Sequence, residues 1–353
     1  MADNHQSTNG FGQTGSAQNG HTTVIDNGQT ASVENGQIVA AENGPTASTE
    51  KVDFSAPLDL SCLTDLNVLV TGGANGLGAH ITSRLAEYGA RVTIADLNLE
   101  NGEKVSKDLN DKGFRTTFVK TDVTDWNSQV NAFKAAYSMH PTCGIDIVIP
   151  CAGLAGFPLQ LSKSVSLDKD PEPPANDTFD VVLKGVYYTT LLSLHYFRLP
   201  SPVIPGRMRR QLLFIGSLAS YLEIPPMADY SASKFGVRGL WKTIREEIRQ
   251  MGYRTNLIAP TFMPTQVILP VADALEERGA KLASVGQAVD AVMRLLADER
   301  AEGRAVAVGG YGNFDIRDDS DGLDGGIETL KYFASGGMGP GMQGLKDVLG
   351  GRT

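Results

Sequence analysis

Tyr230 and Lys234 stand one helical turn apart in Tyr230-Ser231-Ala232-Ser233-Lys234, and their types suit acid–base chemistry. Positions i and i+4 lie one above the other on a helix face, so both side chains can reach one pocket. A phenol titrates near ~10, and making it useful near pH 7 takes roughly 4 kcal/mol of phenolate stabilisation. An ammonium about 4 Å away, at an effective dielectric of ~20, supplies about that much. Ten tyrosines make a chance pair of this spacing unsurprising, so the pair needs support from elsewhere in the chain.

A second constellation is Thr71-Gly72-Gly73-Ala74-Asn75-Gly76-Leu77-Gly78, between an apolar run and an amphipathic stretch. Glycines at a strand-to-helix turn let the backbone approach a pyrophosphate, and the helix start offers unpaired N–H groups to it. An ordinary tight turn uses the same residues. Asp96 follows Gly72 by 24 residues and ends the next apolar run. A carboxylate there can accept both hydroxyls of an adenosine ribose and repels a 2′-phosphate. It can also cap the following helix, and the two roles are compatible. Asn75 is neutral where a phosphate-binding cation could stand, so both residues favour NAD over NADP.

Positioning these residues takes alternating strands and helices. Apolar runs at 67–71, 91–95, 114–119, 145–150, 212–216, 253–258 and 305–308 read as strands. Helices are expected at 76–88, 98–112, 126–139, 179–198, 229–251 and 286–299. Seven strands with intervening helices predict an α/β fold, a doubly wound parallel seven-stranded sheet covered on both faces. It forms a single domain over 57–312. Residues 1–56 carry a degenerate eight-residue Asn-Gly repeat, seen in Val24-Ile25-Asp26-Asn27-Gly28 and Ser32-Val33-Glu34-Asn35-Gly36, with few apolar residues between the turns. Such a segment cannot offset its ordering entropy and is expected to be a disordered tail. Residues 313–353 form a Gly-rich extension expected to wrap loosely.

Taken together, Thr71-Gly72…Gly76-Leu77-Gly78, Asp96, Asp122-Val123, Ala152-Gly153, Ser217 and Tyr230…Lys234 resemble the short-chain dehydrogenase/reductase family in order and spacing, over roughly 60–312. The resemblance implies a Rossmann fold, NAD as cofactor, and hydride transfer between NAD and a secondary alcohol or ketone. It implies that Tyr230 exchanges a proton with the substrate oxygen, Ser217 holds that oxygen, and Lys234 binds the nicotinamide ribose. Asp122-Val123 match the pair beside the adenine. The segment Pro260, Met263, Thr265 matches one that closes over the nicotinamide, with Thr261 in place of the usual glycine. A homodimer or homotetramer is implied as well. The Asp96 version with Phe179-Asp180…Leu183-Lys184-Gly185-Val186-Tyr187-Tyr188 resembles fungal relatives of NAD-dependent hydroxyprostaglandin dehydrogenases. Two positions depart from the family: Cys151 and Val182 stand where asparagines are usual, and the second asparagine helps hold a water behind the lysine. Val182 therefore keeps a rival reading open, a dinucleotide-binding regulatory or scaffold protein, or a non-redox use of the pocket.

Composition narrows the field. A formal charge of −9 disfavours a nucleic-acid binder. No run approaches the ~20 apolar residues of a membrane span. Cys62, Cys143 and Cys151 form no C-x-x-C pair and His80, His140 and His195 stand apart, so no metal site is expected. The first fifty residues lack Lys and Arg, which fits neither a secretory nor a mitochondrial leader, so a cytoplasmic protein is expected. Leu154, Phe157, Leu159 and Leu161, with Val267, Ile268 and Leu269, are the candidates for an apolar pocket wall, which favours a lipophilic small-molecule substrate.

Overall fold

The computed structural model describes the backbone of 22–26, 29–34 and 37–40, and then 51–139, 144–156, 170, 172–199, 208–225, 227–265, 269–277 and 279–318. The chain divides into two units, Met1–Thr46 and Ala47–Thr353. In the first, β1 (Thr22–Asp26), β2 (Gln29–Glu34) and β3 (Gln37–Ala40) pair as an antiparallel meander. This differs from the tail without structure read from the sequence. The registers Asp26↔Gln29 and Glu34↔Gln37 leave one Asn-Gly pair between consecutive strands. That dipeptide is the strongest short hairpin signal, and the repeat places one at each strand junction.

The second unit holds an eight-stranded sheet in the order β11-β10-β9-β8-β7-β4-β5-β6. Its strands are β4 (Asn67–Thr71), β5 (Arg91–Asp96), β6 (Arg115–Lys120), β7 (Ile147–Pro150), β8 (Gln211–Ile215), β9 (Arg254–Pro260), β10 (Ala305–Gly309) and β11 (Gly312–Asp315). Seven are parallel, as the sequence predicts; β11 adds an antiparallel edge that the sequence does not signal. The helices are α1 (Gly76–Glu87), α2 (Leu99–Asn110), α3 (Trp126–Met139), α4 (Val186–Arg198), α5 (Ala228–Gln250), α6 (Leu269–Glu276) and α7 (Val285–Ala297). A π-helical turn, Phe179–Gly185, leads into α4. The short α6 was not expected.

Alternation along each strand splits the core into two layers. Val68 and Val70 of β4 pack with Ile81 and Leu85 of α1 and Leu295 of α7. Leu69 faces the other way, with Phe133 of α3, Phe197 of α4 and Trp241 of α5. Strands buried on both faces must be apolar throughout, which is why β4, β7 and β8 read as unbroken runs. The folded unit starts before the expected boundary at 57. Val52 is 9% exposed and its N–H donates to Asp315 Oδ2 at 2.8 Å. Among the described residues no helix is long and apolar enough to cross a membrane.

Candidate active site

Chain order runs outward from β4 through β5 to β6, then returns to β7 on the other side of β4. At such a reversal, the loops leaving the carboxyl ends of the two central strands part and leave a crevice. Gly72 and Ala152 meet there. Gly72 has φ +66°, and a Cβ on it would lie 2.5 Å from Ala152 Cα, so only glycine fits. Cys151 N–H donates to Thr71 O at 3.1 Å, locking the loop before Ala152-Gly153 to the glycine turn. Gly78, in the first turn of α1, passes so close to Gly72 O that a Cβ would sit 2.1 Å from it.

Asn75, the N-cap of α1, makes no side-chain cap. Its side-chain Oδ1 accepts from Asn101 Nδ2 at 2.6 Å instead. The first-turn N–H groups of Gly76, Leu77 and Gly78 therefore have no cap to satisfy them, which is the arrangement an anion uses. Asp96 ends β5, with Oδ2 accepting from Ala74 N–H and Oδ1 from Asn98 N–H, both at 2.9 Å. A carboxylate has about four acceptor sites, so each oxygen keeps one for a ribose hydroxyl. Asp122 Oδ1 accepts from Thr124 N–H and Oγ1, and Val123 O accepts from Gln129 Nε2 at 2.7 Å. The uncapped helix start, the glycine cradle and Asp96 together fit a dinucleotide.

Ser217, Tyr230 and Lys234 are brought together from β8 and α5. Ser217 caps a 3-10 turn, Leu218–Ser220, with its Oγ accepting from Ala219 N–H at 3.1 Å and its N–H donating to Ser220 Oγ at 3.2 Å. Its hydroxyl also pulls the Tyr230 phenol down. Tyr230 sits in the first turn of α5, where the helix dipole favours a phenolate. Lys234 Nζ lies 5.8 Å from the Tyr230 ring centre and donates to Ile215 O at 2.9 Å. Burial lowers the Lys234 ammonium to about 8. Burial raises Tyr230, opposed by the Ser217 hydrogen bond. Lys234 is nearer the strand-end carbonyl, to which it donates, than the centre of the phenol ring. Nothing in the sequence marks Ile215 as that partner, since its contribution is a backbone oxygen.

Cys151 lies beside Lys234. Burial pushes its thiol up to about 12, with Lys234 opposing, so it stays protonated. Val182 is fully buried inside the π-helical turn. That turn abuts the helix carrying Tyr230: a Cβ on Gly236 of α5 would lie 2.8 Å from Leu183. Pro260 ends β9, Met263 is 9% exposed within the core, and Thr265 N–H donates to Met263 O at 2.7 Å. Of the proposed pocket wall, Leu154 is described and Leu269 begins α6; Phe157, Leu159, Leu161, Val267 and Ile268 lie outside the described residues, as do Cys143 and His140.

The short chain dehydrogenase profile matches residues 66–276. A 5′-hydroxyaverantin dehydrogenase of Dothistroma septosporum is 36% identical over 275 residues, covering 74% of this chain and 90% of that protein. A protein of Phoma sp. named NADP-dependent dehydrogenase M3 is 34% identical over 317 residues, covering 82% of this chain and 90% of its own. The crystal structure of a 3-ketoacyl-(acyl-carrier-protein) reductase from Brucella melitensis, complexed with NADH, shares the fold at a TM-score of 0.58 and 22% identity. It covers 70% of this chain and 98% of its own. A profile match across more than half the chain, with relatives of this identity along most of their length, shows that the chain belongs to the short-chain dehydrogenase/reductase family.

Proposed function

We propose that this chain, an oxidoreductase of hydroxyl and keto substrates by its family, moves a hydride between NAD and a lipophilic secondary alcohol or its ketone. The observation that carries this reading is the placing of Lys234 Nζ 5.8 Å from the Tyr230 ring centre, one turn along α5, with the Ser217 hydroxyl acting on the same phenol. When bound, the nicotinamide accepts or supplies the hydride.

The chain's own residues handle the proton. Tyr230 gives its phenolic proton to the carbonyl oxygen during reduction and takes the hydroxyl proton during oxidation. Ser217 Oγ donates to the same oxygen and so sets its distance from the phenol. Lys234, already fixed by Ile215 O, has two further N–H groups for ribose hydroxyls. Gly72, Gly76, Leu77 and Gly78 hold the pyrophosphate, Asp96 the adenosine ribose, Asp122 and Val123 the adenine edge, and Ala152, Gly153, Pro260, Met263 and Thr265 the nicotinamide end. Asp96 supports NAD even though the Phoma relative carries NADP in its name. The lipophilic substrate rests on the apolar residues of the two loops named from the sequence.

An oligomer of identical copies is part of the proposal. Phe179, Tyr187 and Leu191 at and along α4, with Phe235 of α5, are 38–46% exposed, and a groove of about 400 Å³ runs between Phe179, Leu183, Tyr187 and Leu240. A second copy of this face covers it, and light scattering of Tyr187→Glu should show a smaller species. The experiment that tests the activity is NADH absorbance across a panel of secondary alcohols of increasing apolar size. No turnover of any member by the parent protein sinks the reading.

A further inference from the structure

The last described residue of the chain, Asp318, is buried far from where the sequence ties the C-terminal segment to any function. Its side chain is shut off from solvent and collects donors from two separate elements. Oδ2 accepts from Tyr221 Oη at 2.9 Å and from Arg238 Nε at 2.6 Å. Oδ1 accepts from Arg238 Nη2 at 3.1 Å and from Lys242 Nζ at 2.5 Å. Its backbone carbonyl accepts from Arg245. The Arg238 guanidinium also lies over the Tyr221 ring, 4.5 Å from its centre.

These partners bear directly on the site. Arg238 and Lys242 continue the stripe that Tyr230 and Lys234 begin, each four residues on from the last, so one face of α5 carries all four. Tyr221 closes the turn that Ser217 caps: its N–H donates to Leu218 O at 3.0 Å. Asp318 is thus a third body that joins the Ser217 turn to the Tyr230 helix. A hydroxyl and a phenol that must meet one substrate oxygen from two separate elements tolerate little relative movement, and these are the elements bearing Ser217 and Tyr230.

The backbone before Asp318 is shaped for this contact. Arg317 has φ +60°, a left-handed conformation that non-glycine residues rarely adopt. Such a residue persists where its surroundings over-determine it. Here the surroundings are Asp315 Oδ1, which accepts from Arg317 N–H at 2.8 Å, and Ile316, fully buried, with its N–H on Ala305 O. The turn at Arg317 is what sends Asp318 beneath α5 instead of along the strand.

We propose that Asp318 is a positioning residue for the dehydrogenase site, acting through Tyr221 and Arg238 to hold Ser217 against Tyr230. The C-terminal segment through Asp318 is then part of the active-site architecture. This rests on the dehydrogenase reading above. It adds to that reading a residue that touches neither substrate nor cofactor.

The test uses the full chain carrying Asp318→Ala, Asp318→Glu or Tyr221→Phe, with the alcohol that the parent turns over fastest. Asp318→Ala should lower kcat at least tenfold, with KM and the NAD dissociation constant within about twofold of the parent. Asp318→Glu should restore part of kcat, because it returns a carboxylate to the same cations. Tyr221→Phe removes one hydrogen bond and no charge, so it folds even where Asp318→Ala does not, and should lower kcat several-fold. Amide hydrogen exchange across 217–222 should quicken in each impaired variant. An unchanged kcat in folded Asp318→Ala and in Tyr221→Phe overturns the proposal, as does a rise in KM with kcat retained. If the parent turns over no alcohol, the dehydrogenase reading fails separately. Exchange across 217–222 then decides: faster exchange in Tyr221→Phe supports the positioning role, and unchanged exchange overturns it.

Discussion

Lys234 Nζ donates to the carbonyl of Ile215 at 2.9 Å, tying the helix that carries Tyr230 to the end of β8. Strand end and helix are thereby one rigid body at the point where Ser217 leaves the strand. A lysine held in this way has less freedom to follow the phenol, and in the proposed mechanism it both fixes the helix and meets the cofactor ribose.

Replacing Tyr230 by Phe should cut turnover by roughly 10²–10⁴-fold, the usual worth of a positioned acid–base group, while NAD affinity stays within about twofold. Lys234→Ala should lose both turnover and NAD affinity, because its ammonium serves the ribose and anchors α5. Steady-state rates and calorimetric titration, measured separately for each variant, check this. Parent-like rates in Tyr230→Phe would defeat the mechanism.

NAD should bind more tightly than NADP, and Asp96→Ala should narrow the gap. Losing hydrogen bonds to a charged acceptor costs about 1.5–3 kcal/mol, or roughly 10- to 150-fold in NAD affinity. The same change frees Ala74 N–H and Asn98 N–H, so the variant's melting temperature has to be recorded beside its affinities. Equal affinities for the two dinucleotides in the parent protein contradict the assignment.

Between pH 8 and 9.5 buried Lys234 should contribute increasing stability to the cofactor-free protein, opposed by the buried Cys151 thiol, which is pushed up to about 12. Burial lowers Lys234 from 10.5 to about 8. Between those values the unfolded chain binds a proton that the folded chain does not, so unfolding free energy increases with pH. The Lys234 share over that interval is roughly 1.5 kcal/mol, read as the difference in pH dependence between the parent and Lys234→Met. Urea denaturation of both proteins at the two pH values measures it; identical slopes count against a buried, proton-poor Lys234.

Removing residues 1–46 should leave the melting temperature of the larger unit unchanged, whereas removing 1–55 should lower it by several degrees. The longer deletion takes away buried Val52 and its hydrogen bond to Asp315, a carboxylate also held by Arg304 Nη2 at 2.8 Å. A bond to a charged group is worth about 1.5–3 kcal/mol, and each kcal/mol moves a domain of this size by roughly 2–4 °C. Equal melting temperatures for the two deletions show that Val52 contributes nothing.

Val182→Asn should raise turnover if a water behind Lys234 lacks an acceptor, and leave it alone if backbone groups already hold that water. Val182 is fully buried, so an amide there costs about 1–3 kcal/mol of stability if it finds no partner. Thermal melts and turnover on the same preparations separate the effects. Activity in Val182→Asn with none in the parent favours the non-catalytic use of the pocket.

Local chemistry carried far in this chain. The four-residue step from Tyr230 to Lys234, the glycine turn and the carboxylate ending β5 depend on helical period and strand length, and both are written in consecutive residues. Long apolar runs revealed seven parallel strands for the same reason. Short elements escaped: Gly312–Asp315 is four residues with one partner strand, and its pairing with β10 rests on contacts and not on pattern. In the first unit, the entropy argument outweighed an Asn-Gly signal that the strand registers follow.

What tertiary structure alone decided is the set of meetings between distant residues. Gly72 must be glycine because Ala152 comes to lie against it, and no property of either residue announces the other. Lys234 donates to a backbone oxygen of β8, which has no sequence signature. Asp318 reaches Tyr221 across 97 residues. A carboxylate in an Asp- and Gly-rich segment looks like any solvated charge until packing removes its water, and then the only favourable state is to be surrounded by donors.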